Sequence, residues 1–136
     1  MPDSTIAVVD GAFRFEPSVV LEILRSRWPE STFVGATGRL AEVSSGQITV
    51  FERGDPIALV ELDVEDEALD IDWRAPEVLA EVVSVITSIP GFAAGSTVIL
   101  SDWGWVLPIL HEGMSADDLL TIRRDGADTQ APSYEP

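Results

Sequence analysis

The chain has 136 residues, eight arginines, no lysine and 24 acids, for a net charge of −16. That balance excludes phosphate-based nucleic-acid binding, which needs clustered cations, and argues against an anionic membrane surface. Without lysine or cysteine there is no P-loop lysine, Schiff base, thiol nucleophile, disulfide or zinc-thiolate site. No cofactor and no metal are expected.

Val, Leu, Ile and Phe make up about 31% of the chain, well above the disordered range. The expectation is one domain over residues 1–126, followed by a disordered tail, residues 127–136. No signal peptide is legible at the start, so the expected location is the cytoplasm. The uncharged run Val82 to Ser101 is broken by Pro90-Gly91 and Gly95, so it reads as a buried helix, a turn and a strand. Arginine without lysine suits GC-rich bacterial coding, and such acidity also suits a salt-adapted cell.

In chain order, residues 4–9 and 13–15 read as short extended pieces around Gly11. Pro17 opens a helix that carries Val20, Ile23, Leu24 and Trp28 at helical spacing. From Ser31 to Trp73 the period is two. Extended segments are expected at 32–36, 40–44, 47–53, 57–64 and 69–73, separated by turn residues. Pro76 opens a second, strongly apolar helix that ends at Pro90-Gly91. Residues 97–101 form a strand, with 105–107 as its partner or lead-out. Ser115 is a good N-cap for a third helix. Asp118 stands at the third helical position, Met114 and Leu119 are placed as a hydrophobic staple, and Arg123, Arg124 and Gly126 suit its end. The fold class is α+β: an antiparallel twisted sheet of five to seven strands with about three helices, one packed across the sheet.

The segment Glu61 to Asp72 holds seven acids and no base. Val60, Leu62 and Val64 share one face with Leu69, Ile71 and Trp73. A four-residue loop at 65–68 would pair Asp63 with Asp70 and Glu61 with Asp72, two repulsive pairs. Continued into the preceding hairpin, the same arithmetic sets Phe51 against Leu59, Thr49 against Glu61 and Gln47 against Asp63. The outer face then presents Phe51, Ile57 and Leu59 beside an acidic strip, an apolar anchor rimmed by charge. A solvated face kept acidic for solubility has the same pattern. A cation site is a third reading, but the EF-hand spacing fails, because Ala68 and Arg74 stand where Gly and Glu are required.

Trp103 and Trp105 flank Gly104 and are candidates for a partner-binding edge. His111, with Ser101 and Asp102, supplies triad residue types but no nucleophile-elbow motif, so no catalytic residue is assigned. Glu77 and Glu81 read as solvent-facing.

The function these features favour is a non-enzymatic binding protein that masks a basic protein partner, in concrete form an immunity protein for a cognate toxin. The residues assigned to it are Glu61, Asp63, Asp70, Asp72, Phe51, Leu59, Trp103 and Trp105. The alternatives are a small acidic secretion-type chaperone, for which a homodimer is the expected state, and a hydrolase using His111.

Overall fold

The computed structural model describes residues 3–102 and 108–122. The elements run β1 (Asp3–Asp10), α1 (Pro17–Arg27), β2 (Thr32–Gly35), a 3-10 turn (Gly38–Glu42), β3 (Ser44–Glu52), β4 (Asp55–Asp63), β5 (Ala68–Trp73), α2 (Pro76–Thr87), β6 (Thr97–Asp102) and β7 (Ile109–Leu110). A third helix, α3, covers residues 116–122. The seven strands form one sheet in the order β2-β3-β4-β5-β1-β6-β7, with every pairing antiparallel. The α+β architecture is the one the sequence implies.

The helices begin where proline can sit without losing a hydrogen bond. Pro17 and Pro76 occupy the first turns of α1 and α2. One side of α2 is fully apolar, and Leu79, Val82, Val83 and Ile86 are buried. Both helices lie on one side of the sheet, over Ile48, Val60, Leu62, Leu69 and Ile71, all with no exposed surface. Trp28 and Trp73 join this core, and the Trp73 indole N–H donates to the Ser4 hydroxyl at 3.0 Å. At α3 the expected N-cap, Ser115, is part of a reciprocal capping box with Asp118. The Asp118 N–H donates to Ser115 Oγ at 3.1 Å, the Ser115 N–H reaches Asp118 Oδ2 at 3.4 Å, and Met114 and Leu119 are buried. Arg123, Arg124, Gly126 and the tail lie outside the described residues.

The uncharged run breaks as expected. α2 ends at Thr87, and Gly91, Ala93 and Gly95 all turn with positive φ before β6. Among the described residues no helix is long and apolar enough to cross a membrane. Glu77 is exposed, whereas Glu81 pairs with Arg27 at 3.2 Å, so only the first of these acids is simply solvent-facing.

Several sequence expectations change. Residues 13–15 are not extended sheet. Phe13 and Phe15 instead leave β1 and pack edge-on, 5.2 Å between ring centres, with Phe92 at 5.2 Å from Phe13. Residues 40–44 are largely the 3-10 turn and not a strand. Gly38 takes φ 61 there, and the Val43 N–H closes back on the Leu40 carbonyl at 3.1 Å. The partner of β6 is Ile109–Leu110, and residues 105–107 lie outside the described residues.

Both central hairpins are displaced by two residues from the expected register. In β3–β4 the turn is the two-residue loop Arg53-Gly54, with φ of 51 and 82, closed by Glu52 opposite Asp55. A bulge leaves Ile57 without an opposite residue, because Val50 faces Ala58 and Phe51 faces Pro56. In β4–β5 the connection keeps its four residues but falls one position earlier, at 64–67 and not 65–68. The Asp66 N–H bonds the Asp63 carbonyl at 3.0 Å, and Leu62 then faces Leu69.

Gly46 is required by space and by backbone. Its φ is 150, and a Cβ there would meet the Phe33 ring and the Val34 carbonyl oxygen at 2.6 Å each. Gly46→Ala is expected to cost about 1–3 kcal/mol. The check is urea unfolding, read as a lower midpoint at unchanged slope.

Candidate functional site

Alternation along β3, β4 and β5 sends every second side chain to the sheet face that no described helix covers. The rows across that face follow from the register. In one row Gln47 faces Glu61, Glu61 faces Asp70, Asp70 faces Thr5, and Thr5 faces Ser101. In the next, Thr32 faces Thr49, Thr49 faces Leu59, Leu59 faces Asp72, and Asp72 faces Asp3. Gln47, Thr49, Leu59, Glu61, Asp70 and Asp72 are all half-buried, as expected for side chains standing on a flat sheet.

Between β4 and β5 the two predicted repulsive pairs are therefore replaced by one, Glu61 with Asp70, while Asp72 stands opposite Asp3 of β1. Asp72 faces Leu59 and Asp63 faces Ser44, so the expected Asp63–Asp70 and Glu61–Asp72 pairs do not form. The physical reason is parity. A slip of two residues leaves every side chain on its own face, so burial fixes which face the acids occupy but not which acids meet.

The like-charge pair is bracketed by donors. Gln47 Nε2 lies 3.4 Å from Glu61 Oε2 on one side, and Thr5 Oγ1 donates to Asp70 Oδ1 at 3.2 Å on the other. Each carboxylate thus has a neutral hydrogen-bond donor on the flank away from its rival. Gln47 was expected on this face but against Asp63, and Thr5 was missed because it joins the row only through the insertion of β1 between β5 and β6.

The apolar neighbours are Leu59, within the Asp72 row, and Phe51 and Ile57 at the bulge end of the hairpin. Phe51 faces Pro56 and not Leu59, so the anchor is spread along the strand and not gathered in one spot. Trp103 and Trp105 lie outside the described residues. His111 is exposed. Its Nδ1 stands 3.4 Å from the Glu112 carbonyl, and no described hydroxyl joins it in a catalytic arrangement.

Beyond Asp63 the acids gather in the β4–β5 turn. Asp63 Oδ2 accepts the Glu65 N–H at 3.2 Å, and Ser45 Oγ donates to the Asp63 carbonyl at 3.1 Å. The turn is pinned to the rest of the fold. The Val8 N–H donates to the Glu67 carbonyl at 2.8 Å, and the Phe15 N–H to the Asp66 carbonyl at 2.7 Å. Carboxylate oxygens of Asp63, Glu65 and Glu67 come within 4.8 Å of one another, enough to offer three ligands to a divalent cation. The hydrogen bond and charge of Glu67, and then the charge of Asp63, push the Glu65 carboxyl above its usual value, with Arg14 opposing weakly.

No protein-family model, no curated protein and no solved structure matches this chain.

Two predictions come from this face. Glu61→Gln removes the repulsion against Asp70 and keeps an acceptor for Gln47. It is expected to raise stability by up to about 1 kcal/mol at low salt, and by less at high salt, in parallel melts. Glu65 has a raised value in the folded chain, so the folded state takes up its proton more readily than the unfolded one. Wild-type stability should therefore gain as pH falls from above that raised value towards the ordinary carboxylate range. Glu65→Gln should raise the unfolding midpoint at neutral pH and bring no gain in acid, which a pH series of melts would read.

Proposed function

We propose that the chain is a non-enzymatic binding protein that masks a basic protein partner, in its concrete form an immunity protein that neutralises a cognate toxin in the cytoplasm. The observation that carries this reading is the sheet face without a described helix, where Glu61, Asp70 and Asp72 stand in adjacent rows with Leu59 between them. Half of each strand's side chains are spent on a surface that contributes little to the core, and the acids there sit close enough to repel.

On this reading Glu61, Asp70 and Asp72 take the place of phosphates in a cationic groove. Leu59, with Phe51 and Ile57 further along the hairpin, supplies the apolar contact that loses water on docking. The rigid sheet matters, because side chains fixed by cross-strand pairing lose little freedom when a partner arrives. The acidic turn at Asp63, Glu65 and Glu67 extends the negative field and steers the encounter. The same face would serve a chaperone less well, since an extended apolar client needs a continuous apolar groove and this one is interrupted by carboxylates.

The test is capture from a lysate of the native host with wild type beside the triple variant Glu61→Gln, Asp70→Asn, Asp72→Asn. The variant removes charge at nearly constant shape and relieves repulsion, so it should fold. The expected outcome is one basic protein retained by wild type and lost by the variant, with affinity for the purified partner falling steeply with salt, chiefly through slower association. A partner held equally by both chains, or a complex indifferent to salt, would overturn the assignment of this face.

A further inference from the structure

At the far end of the sheet from β7, the edge strand β2 has β3 as its one neighbour among the described residues. Its residues, Thr32-Phe33-Val34-Gly35, are exposed and include no charge and no proline. Natural sheets blunt such edges with charges, prolines or bulges, and β2 has none of these. The pairing with β3 fixes which groups are spare. The Ala36 N–H donates to the Ser45 carbonyl at 3.3 Å, and Val34 faces Gln47. By antiparallel alternation Thr32 and Val34 direct their N–H and C=O towards β3, and Phe33 and Gly35 direct theirs outward.

The chain around this edge is also unlike the rest in charge. Residues 31–41 hold no acid and a single cation, Arg39, in a protein of net charge −16. Large apolar side chains stand out here. Val34 is 68% exposed, Val43 64%, Leu40 46% and Phe33 36%. A basic partner finds nothing to pair with at this place. A second copy of the chain, which every acidic surface would repel, finds its least repulsive approach.

We infer that β2 is a self-association edge, where two copies join antiparallel about a two-fold axis through Val34 into one continuous sheet. The register follows from the geometry. An axis normal to the sheet keeps both helix layers on the same side, so residues facing each other across the axis must share a face. Centring on Val34 places Phe33 opposite Gly35 of the second copy, and each such pair exchanges both of its outward N–H···O bonds. Gly35 has no side chain to obstruct the ring of Phe33, and that ring already lies over a glycine within its own chain, Gly46. Val34 meets Val34 of the second copy on the face without helices. The inference is drawn from residues outside the acidic rows and does not rest on the role proposed for them.

The experiment is sedimentation equilibrium of the full chain over a wide concentration range, at about 0.05 M and about 0.5 M salt. The expected result is a monomer–dimer equilibrium that strengthens with salt, because screening relieves the repulsion between two acidic chains. This is opposite in sign to the salt response expected of a complex on the acidic face, so the two assignments fail separately. Val34→Glu places like charges directly opposite at the axis and should weaken the dimer about fivefold or more. Val34→Arg alone should also weaken it, and an equimolar mixture of the two variants should restore it as a heterodimer. Phe33→Pro removes an outward N–H and should abolish association. Unfolding midpoints of each variant separate loss of the dimer from loss of the fold. A chain that stays monomeric under every condition, a dimer that Val34→Glu leaves intact, or a mixture that restores nothing would each overturn the inference.

Discussion

Everything on this molecule's surface depends on the two-residue period of β3, β4 and β5. Ile48, Val60, Leu62, Leu69 and Ile71 are driven under the helices because each removes a large apolar side chain from water. The pleat then leaves Gln47, Leu59, Glu61, Asp70 and Asp72 no choice but the opposite face. The acids are thus held together by the burial of their neighbours, not by anything that draws acids to one another. A cluster of like charges persists because the apolar side of the same strands is worth more than the repulsion costs.

The local structure reduces that cost where it is greatest. The Glu61–Asp70 pair sits in the middle of a row that ends in uncharged donors, Gln47 on one flank and Thr5 on the other. Asp72 is set against Leu59 on the β4 side, and its acidic opposite, Asp3, lies on the other side at the start of β1. The β4–β5 turn does the reverse. There half-buried Asp63 and Glu67 converge on exposed Glu65, and backbone bonds to Val8 and Phe15 hold the turn in place. Solvent screening makes convergence tolerable in the turn, whereas in the sheet row separation and hydrogen bonding do that work.

The sequence revealed faces more readily than partners. Proline-opened helices, the Ser115 N-cap, the apolar side of α2 and the acidic face are local or periodic features, and each is present. Register is neither local nor periodic. A two-residue slip preserves every in–out assignment, so the pattern could not separate Asp63 opposite Asp70 from Glu61 opposite Asp70. The deciding features were small. Arg53, a residue not expected at positive φ, completes a two-residue turn with Gly54, and a bulge at Ile57 shifts the remainder of β4. Topology was the other hidden term. Thr5 belongs to the acidic rows only because β1 inserts beside β5, and nothing in residues 3–10 announces that neighbour. The segment 40–44 misled for a simpler reason. Its short apolar alternation resembles a strand, but Gly38 turns the chain and the 3-10 bond from Val43 to Leu40 winds it.

The sheet also separates charge along its width. Acids crowd β4 and β5, and the edge at β2 has none. Strands lie about 4.8 Å apart, so β2 and β4 are separated by roughly 10 Å, close to one Debye length at physiological salt. At that spacing the two surfaces are neither merged nor independent. Negative charge on the central rows discourages a second copy from approaching the edge, and a basic protein seated on those rows would cancel much of that field. Binding at the acidic face and joining at the edge should then favour each other, by an amount that shrinks as salt screens the rows from the edge. Reciprocity would require the converse: joined edges would bring two acidic faces onto one sheet, and each would attract a basic partner more strongly than a single copy does. Such coupling would need no conformational change, because the two proposed sites would communicate through the field across two strands of the sheet.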